Sequence, residues 1–336
     1  MNYMEEILQG VPARDYSDLT GHYGAEKIVR NYCSVPHGSI PGVWQHGPFL
    51  TGEQYLERRV SVITDQKLHT YAKKSFNFYV ARSDMTILLK KHAYKYVYDI
   101  GLPFIYLPKI EVPELPNSVL FFPAHSSVDD PPLRVAKVKK RDFSVYSGLV
   151  NSLKAQFKYV GICIHGNDYS ENVIKNLKTM GFDLVVVGAE EQDANSLYRI
   201  QFLISSFQYI ISDTFSSSIV YAAYLNKRIS IVTAKHLGKL TFELAEHEEV
   251  DFLRLSPDQI INAKKHLSWG ALLLGLESKQ SPGQLSELFY FNRYNKLFNL
   301  LWRFREINSR YSIFRDLLDF PFKILIYLLK LISKIF

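Results

Sequence analysis

Three consecutive serines stand where a predicted strand, 209–211, turns into a predicted helix. They are Ser216, Ser217 and Ser218. The first N–H groups of a helix have no acceptor within it, and the positive end of the helix dipole lies there, so anions bind at such a start. Three hydroxyls add donors. The pattern favours a phosphate-bearing ligand at the carboxyl end of a parallel sheet, and the alternative is a serine that only caps an ordinary helix.

Other polar residues also follow apolar runs of the sequence. Because ligands of open α/β proteins bind at the carboxyl ends of parallel strands, these residues are the further candidates for a cleft site. They are His46, His125, Ser126, His165, Glu190 and Asp213. His46 is the candidate general base, because an imidazole exchanges protons near pH 7 and a glycine follows it in the chain. Its alternative role is to cap a turn.

Five apolar runs in the second half of the chain predict its core. They span 119–122, 159–164, 184–187, 209–211 and 229–232, with helical patterns or polar loops between them. Runs without polar alternation, spaced by helices, are typical of a parallel sheet covered on both faces. No glycine-rich dinucleotide fingerprint follows any of these runs, and no zinc-protease, redox, P-loop or hydrolase motif occurs. We therefore expect no cofactor and no bound metal.

The pattern predicts a division into three parts. Residues 1–116 form a first, acceptor-side domain, with strands near 40–47, 59–64 and 77–81 and a helix at 83–92 capped by Ser83. A proline-rich segment, 108–117, reads as an extended linker. Residues 117–280 form the donor domain, and 281–336 a basic amphipathic tail. The predicted fold class is thus α/β, with two Rossmann-like domains facing a cleft and C-terminal amphipathic helices.

The positive charge of the chain belongs to this tail. Nine basic and three acidic residues lie between position 291 and the end, which leaves +1 of the net charge of +7 to the rest. Lys323, Lys330 and Lys334 share one stripe of a predicted helix that is otherwise almost wholly apolar. This favours contact with an anionic membrane surface over nucleic acid. The alternative is a helix packed on the body, with its lysines facing water.

Two cysteines form no disulfide framework, and no secretory signal is recognisable at the start. We therefore expect a cytoplasmic protein, peripheral on the inner face of the cell membrane.

The order of several short motifs resembles a known family. The motifs are Gln45-His-Gly47, Tyr79–Asp84, Asp99–Pro103, Val119–His125, Val186–Gly188 and Ser212–Ser218. Together they resemble the GT-B glycosyltransferases of bacterial capsule, teichoic-acid and O-antigen assembly, above all the CDP-glycerol glycerophosphotransferase and capsule-polysaccharide branch. The resemblance implies that His46 is a base or an acceptor-positioning residue, that Ser216–Ser218 hold the donor pyrophosphate, and that His125 lies near the donor.

The function expected from this resemblance is transfer of a sugar from a nucleotide-activated donor to a lipid-linked or polymeric glycan acceptor in bacterial surface polysaccharide synthesis. Three alternatives stay open: a glycerophosphotransferase of the same fold, a sugar-nucleotide epimerase, and a non-catalytic scaffold of a glycan-assembly complex. An epimerase would give products from the donor alone. A scaffold would keep its function without His46 or Ser217.

Overall fold

The computed structural model describes residues 3–16, 23–36, 40, 42–45, 47–52, 55–57, 77–92, 94–125, 142–233, 248–289 and 291. The predicted strand at 59–64 and most of the predicted tail lie outside these residues. So do five predicted site residues: His46, Ser126, Lys323, Lys330 and Lys334.

A small parallel sheet forms the first part of the fold. Its order is β1 (Val43–Trp44), β2 (Phe78–Val80), β3 (Val97–Asp99). The predicted helix beside it is confirmed as Ser83–Lys91, but its N-cap is Arg82, not Ser83. Arg82 stays extended because its guanidinium donates to the carbonyl of Phe49 and pairs with Asp84.

A larger sheet forms the second part. Its strands are β4 (Leu115–Phe122), β5 (Tyr159–Ile164), β6 (Leu184–Val187), β7 (Phe207–Ser212), β8 (Arg228–Val232), β9 (Arg254–Leu255) and β10 (Lys264–Lys265). The order is β10-β8-β7-β4-β5-β6, with β9 also pairing with β8. All pairs are parallel except β10 with β8. Each of the five apolar runs is confirmed as a strand, and the α/β class with parallel sheets is confirmed with them.

Nine helices pack on the two sheets in the described part of the chain. They are α1 (Tyr3–Gly10), α2 (Ala25–Tyr32), α3 (Ser83–Lys91), α4 (Ser147–Lys154), α5 (Glu171–Thr179), α6 (Ser196–Ser206), α7 (Ser217–Tyr224), α8 (Leu267–Leu274) and α9 (Pro282–Leu288). None of the helices within the described ranges is both long and apolar enough to span a bilayer.

The start of the described chain packs on helix α6 of the larger sheet. We call residues 3–16 and 23–35 the N-terminal arm. Arg199 of α6 donates from Nε to the Pro12 carbonyl at 2.9 Å, and Asn31 of the arm donates to the Tyr198 hydroxyl at 2.8 Å. Ile7 belongs to the same apolar cluster as the buried face of α6. The arm thus precedes the small sheet in sequence but packs on α6, a helix of the larger sheet, and on residues 103–106, which follow β3.

Helix α9 returns to the small sheet. Phe289, directly after this helix, lies with its ring centroid 5.1 Å from that of Tyr79 and 5.8 Å from that of Trp44. Residues of both halves, among them Trp44 and Phe207, belong to one buried cluster. The two sheets are therefore joined by a continuous apolar core beside the cleft.

Candidate functional site

A cavity of about 370 Å³ opens between the two sheets. One wall consists of the residues that directly follow β4, β5, β6 and β7, which is the carboxyl edge of the larger sheet. The opposite wall comes from the end of β1 and the turns around the small sheet. The lining residues include Tyr23, Gln45, Gly47, Tyr55, Pro103, His125, His165, Ala189, Thr214, Ser216, Ser217, Ser218 and Tyr221. This is the place where open α/β sheets bind ligands.

The start of α7 opens onto this cavity. Ser216 is the N-cap, yet its side chain makes no capping hydrogen bond, and its Oγ is buried without a partner in the described part of the chain. Ser217 and Ser218 are half-buried in the first turn and line the cavity as well. The arrangement places the first helical N–H groups and the positive end of the helix dipole beside one space, with Ser216, Ser217 and Ser218 on its wall.

Gly47 brings the loop after β1 against this helix start. Its φ is 73°, and a Cβ at this position would lie 2.7 Å from the Ser217 Oγ. The side chain of Gln45 fixes the loop, because its Nε2 donates to the Gly47 carbonyl and its Oε1 accepts from the Ala81 N–H. The residues on either side of position 46 therefore line the cavity. The candidate base His46 itself lies outside the described residues.

Two histidines stack on the wall formed by β4 and β5. The rings of His125 and His165 have centroids 4.6 Å apart and are tilted by 32°. His165 Nδ1 accepts from the Asn167 N–H at 3.1 Å, so the proton of the neutral ring belongs on Nε2. Nε2 lies 3.3 Å from the Tyr23 hydroxyl and donates to its oxygen. The hydrogen bond between Tyr23 and His165 thus joins the N-terminal arm to the loop after β5.

Two tyrosines of the cavity, Tyr23 and Tyr221, have raised pKa values. Burial, and then the nearby charge of Glu191, raise the pKa of Tyr23 to about 12. Burial also raises the pKa of Tyr221, whose ring stacks on that of Phe104 with centroids 4.0 Å apart. Both phenols are therefore neutral in the neutral pH range.

Two predicted ligand-binding carboxylates do not line the cavity. Asp213 is 3% exposed; its Oδ1 accepts from the Ala124 N–H at 2.7 Å, and its Oδ2 accepts from the Tyr146 hydroxyl at 2.5 Å. It therefore fixes the loop that carries His125. Glu190 accepts from the Tyr16 hydroxyl at 2.8 Å on the outer side of the arm. The direction of a side chain just beyond a strand is not set by the strand's alternation, so the sequence could not separate these residues from the serines.

None of the described lining residues is Asp, Glu, Lys or Arg. An anion in this cavity would be bound by hydroxyls, backbone N–H groups, imidazoles and the helix dipole. Within the described ranges, no cluster of His, Cys, Asp and Glu is arranged to hold a metal ion.

Several polar lining residues were not predicted from the sequence, among them Tyr23, Gln45 and Tyr221. Gln45 follows the β1 run directly and could have been included on the same grounds as His46. Tyr221 stands four residues after Ser217 in a helical pattern, which places it on the same face. Nothing local marks Tyr23, because it meets His165 across 142 residues of sequence.

The fold and the site define an α/β protein with a ligand cleft at the edge of its larger sheet. No protein-family model and no curated protein matches the chain. Among solved structures, the chain is similar to the glycotransferase of kitacinnamycin at 11% identity, with TM-score 0.34 over 78% of this chain and 73% of that one.

Two further solved structures are similar at the same level. A TarM mutant of S. aureus, in complex with fondaparinux, α-GlcNAc-glycerol and UDP, is 12% identical, with TM-score 0.31 over 67% of this chain and 44% of that one. Arabidopsis thaliana UGT89C1, complexed with UDP-L-rhamnose, is 11% identical, with TM-score 0.32 over 85% and 71%. Similarity at this level does not assign an activity to the chain.

Proposed function

We propose that the chain is a glycosyltransferase that moves a sugar from a nucleotide-activated donor to a lipid-linked or polymeric glycan acceptor in bacterial surface polysaccharide synthesis. One observation carries this: the buried, unpartnered Ser216 hydroxyl at a helix start that opens onto a cavity at the sheet edge. A buried hydroxyl without a partner costs about 1–3 kcal/mol. A phosphate oxygen of a donor diphosphate would remove that cost.

The chemistry of the cavity suits a leaving diphosphate. In glycosyl transfer the bond between the sugar and the diphosphate breaks, a bond to the acceptor oxygen forms, and the acceptor hydroxyl loses its proton. Negative charge then grows on the diphosphate, where the Ser216–Ser218 helix start would stabilise it. We assign the acceptor proton to His46 as base, since Gly47 lies against Ser217 and Gln45 lines the same cavity. The cavity volume is within the usual range for small-ligand sites, about 300–1,000 Å³.

The Ser216→Ala variant is expected to weaken nucleotide binding without lowering the stability of the unliganded protein. Because the hydroxyl makes no capping bond, its removal should leave the unliganded melting temperature unchanged or slightly raised. A nucleotide that binds only the folded state raises the melting temperature. At a hundredfold excess over its Kd it adds about 2.7 kcal/mol to the free energy of unfolding. We expect one nucleoside diphosphate or nucleotide sugar from a panel to stabilise the wild type strongly and the variant much less, as measured by thermal unfolding.

Ser170→Ala is the matched control for that experiment. Ser170 caps α5, its side chain accepts from the Val173 N–H, and it lies away from the cavity. Its removal should cost about 1 kcal/mol of stability and leave nucleotide binding intact. Equal nucleotide stabilisation of the wild type and Ser216→Ala would contradict the donor site. A panel without any stabilising nucleotide would contradict the transferase itself.

We further propose that the part of the predicted 281–336 tail that follows Phe291 holds the protein on the anionic inner face of the membrane. The support is the stripe formed by Lys323, Lys330 and Lys334 among apolar residues. A lysine near an anionic surface contributes about 1 kcal/mol, so replacing all three by glutamine should weaken vesicle binding about a hundredfold. Co-sedimentation with vesicles containing phosphatidylserine measures this.

Lys264→Gln with Lys265→Gln is the control for the tail, because these exposed lysines lie on β10, within the folded body. It should leave vesicle binding unchanged. Equal binding of the full chain and of a chain lacking 318–336 would end the membrane proposal without affecting the transferase proposal.

A further inference from the structure

The loop that follows β1 forms part of the cavity wall beside the serine helix start. We call residues 47–51 the β1 loop. Gly47, Pro48 and Phe49 line the cavity. Gly47 lies so close to the helix start that a Cβ at this position would be 2.7 Å from the Ser217 Oγ. The conformation of the β1 loop therefore shapes the space beside which an anion would bind.

The small-sheet half of the fold holds the middle of the β1 loop. The buried Arg82 donates from Nη1 to the Phe49 carbonyl at 2.8 Å and from Nη2 to the Leu50 carbonyl at 3.3 Å. Asp84 pairs with the same guanidinium at 2.8 Å. Because Arg82 and Asp84 belong to the small-sheet half, they fix the loop to that half and not to the opposite wall.

The larger half holds the end of the same loop through Glu249. The Thr51 N–H and the Thr51 Oγ1 both donate to Glu249 Oε2, at 2.7 Å and 2.8 Å. Hydrogen bonds to a charged acceptor are roughly twice as strong as those between neutral groups. Both residues are half-buried, so water competes less for these bonds than it would at an exposed site. The contact joins the two halves across the cleft.

The turn that carries Glu249 is fixed to the larger sheet. This turn spans 248–253, and its Val250 and Leu253 are 0% and 1% exposed. The Leu253 carbonyl accepts from the Ser230 Oγ of β8 at 2.9 Å. Glu249 therefore stands on a packed part of the fold and can fix the position of the β1 loop.

We infer that Glu249 is a positioning residue, which holds the β1 loop closed over the serine helix start by binding Thr51. Glu249 does not line the cavity itself, so it acts through the loop. The ligand beneath the loop, and the role of His46 directly before Gly47, rest on the proposed function. The contact between Thr51 and Glu249 does not.

Glu249→Ala is expected to open the β1 loop. Amide hydrogen exchange rises with the fraction of molecules in which a segment is open. Loss of two hydrogen bonds to a carboxylate should therefore speed exchange of the loop amides about tenfold or more. Exchange followed by mass spectrometry on the unliganded full chain measures this. Glu248→Ala is the matched control, because it removes the same charge from the exposed neighbouring residue, and exchange should not change.

A double-variant comparison connects the effect to this one contact. Thr51→Val removes the hydroxyl but keeps the backbone N–H, so it should speed exchange less than Glu249→Ala does. In the Glu249→Ala background it should add nothing, because the two variants remove the same interaction. Thr51→Ser keeps the hydroxyl and should exchange like the wild type. Additive effects of Thr51→Val and Glu249→Ala would show that Glu249 acts elsewhere, which overturns the assignment.

Inorganic pyrophosphate tests closure over an anion. Its binding to the wild type, measured by calorimetry, should be accompanied by slower exchange of the β1 loop amides, because the ligand favours the closed loop. Pyrophosphate that binds without slowing this exchange overturns the closure.

The outcomes distinguish this inference from the proposed function. Equal exchange of the unliganded wild type, Glu249→Ala and Thr51→Val overturns the inference alone and leaves the proposed function intact. A wild type that does not bind pyrophosphate overturns the anion site and the closure over it, whatever the exchange of the unliganded variants.

Discussion

Asp193→Ala is expected to lower the free energy of unfolding by about 3–5 kcal/mol, because it leaves the Arg199 guanidinium buried without its carboxylate. The same carboxylate accepts from the N–H groups of Asp15 and Asn195, which would lose their partner too. Urea unfolding followed by circular dichroism measures the loss. Because Asp193 also fastens the arm, activity should fall more steeply than the folded fraction.

Two further variants are compared with Asp193→Ala: one removes an exposed ion pair, and the other replaces the buried pair by apolar residues. Asp251 pairs with Arg254 at 2.9 Å on the surface, and Asp251→Ala should cost far less, since exposed pairs contribute little. Arg199→Met combined with Asp193→Leu should recover much of the loss, because a buried pair is often replaced by apolar residues at little cost. A loss from Asp193→Ala no greater than that from Asp251→Ala would show that the pair does not hold the arm.

The larger sheet could be predicted because its signal is local. Each of its five long strands is a run of apolar residues without alternation, which is typical of a strand covered on both faces. The start of β4 was harder to predict. The three prolines of 108–117 predicted an extended linker, yet the strand begins at Leu115. Its pairing with β7 is irregular up to Val119, so Pro116 is tolerated there.

The candidate site could be predicted in part, for the same reason. The serine turn is local in sequence, so its place at the start of α7 followed from the pattern. The roles of Asp213 and Tyr23 depend on partners far away: Asp213 meets Ala124 and Tyr146, and Tyr23 meets His165. No periodicity or spacing carries information about such contacts.

Gly275→Ala is expected to be the most damaging glycine substitution between the two sheets. Gly275 ends α8 with φ 72°, and a Cβ there would lie 1.8 Å from the Ala81 carbonyl oxygen and 2.6 Å from its carbonyl carbon. Backbone atoms cannot rotate away as a side-chain tip can. Strain in the left-handed region and overpacking together should cost about 3–5 kcal/mol, measured by urea unfolding.

Substitutions at two other glycines distinguish backbone strain from overpacking as causes of the loss of stability. Gly52 has φ 97° with nothing within 4 Å of a built Cβ, so Gly52→Ala measures the backbone strain alone. Gly283, in the first turn of α9, also has open space but no such φ, and Gly283→Ala should be neutral or stabilise by about 0.5–1 kcal/mol. If Gly275→Ala costs no more than Gly52→Ala, the contact with Ala81 is not tight.

Gly275→Ala should also change the shape of the cavity, because a series of contacts connects Gly275 to it. Gly275 lies against Ala81, whose N–H donates to Gln45, and Gln45 in turn holds the Gly47 carbonyl beside Ser217. Pushing Ala81 away therefore moves the loop opposite the serine helix start. Nucleotide stabilisation of Gly275→Ala, measured below its unfolding range, should be reduced, whereas Gly283→Ala should bind like the wild type. Undiminished binding by Gly275→Ala would show that the small sheet does not shape the donor side of the cleft.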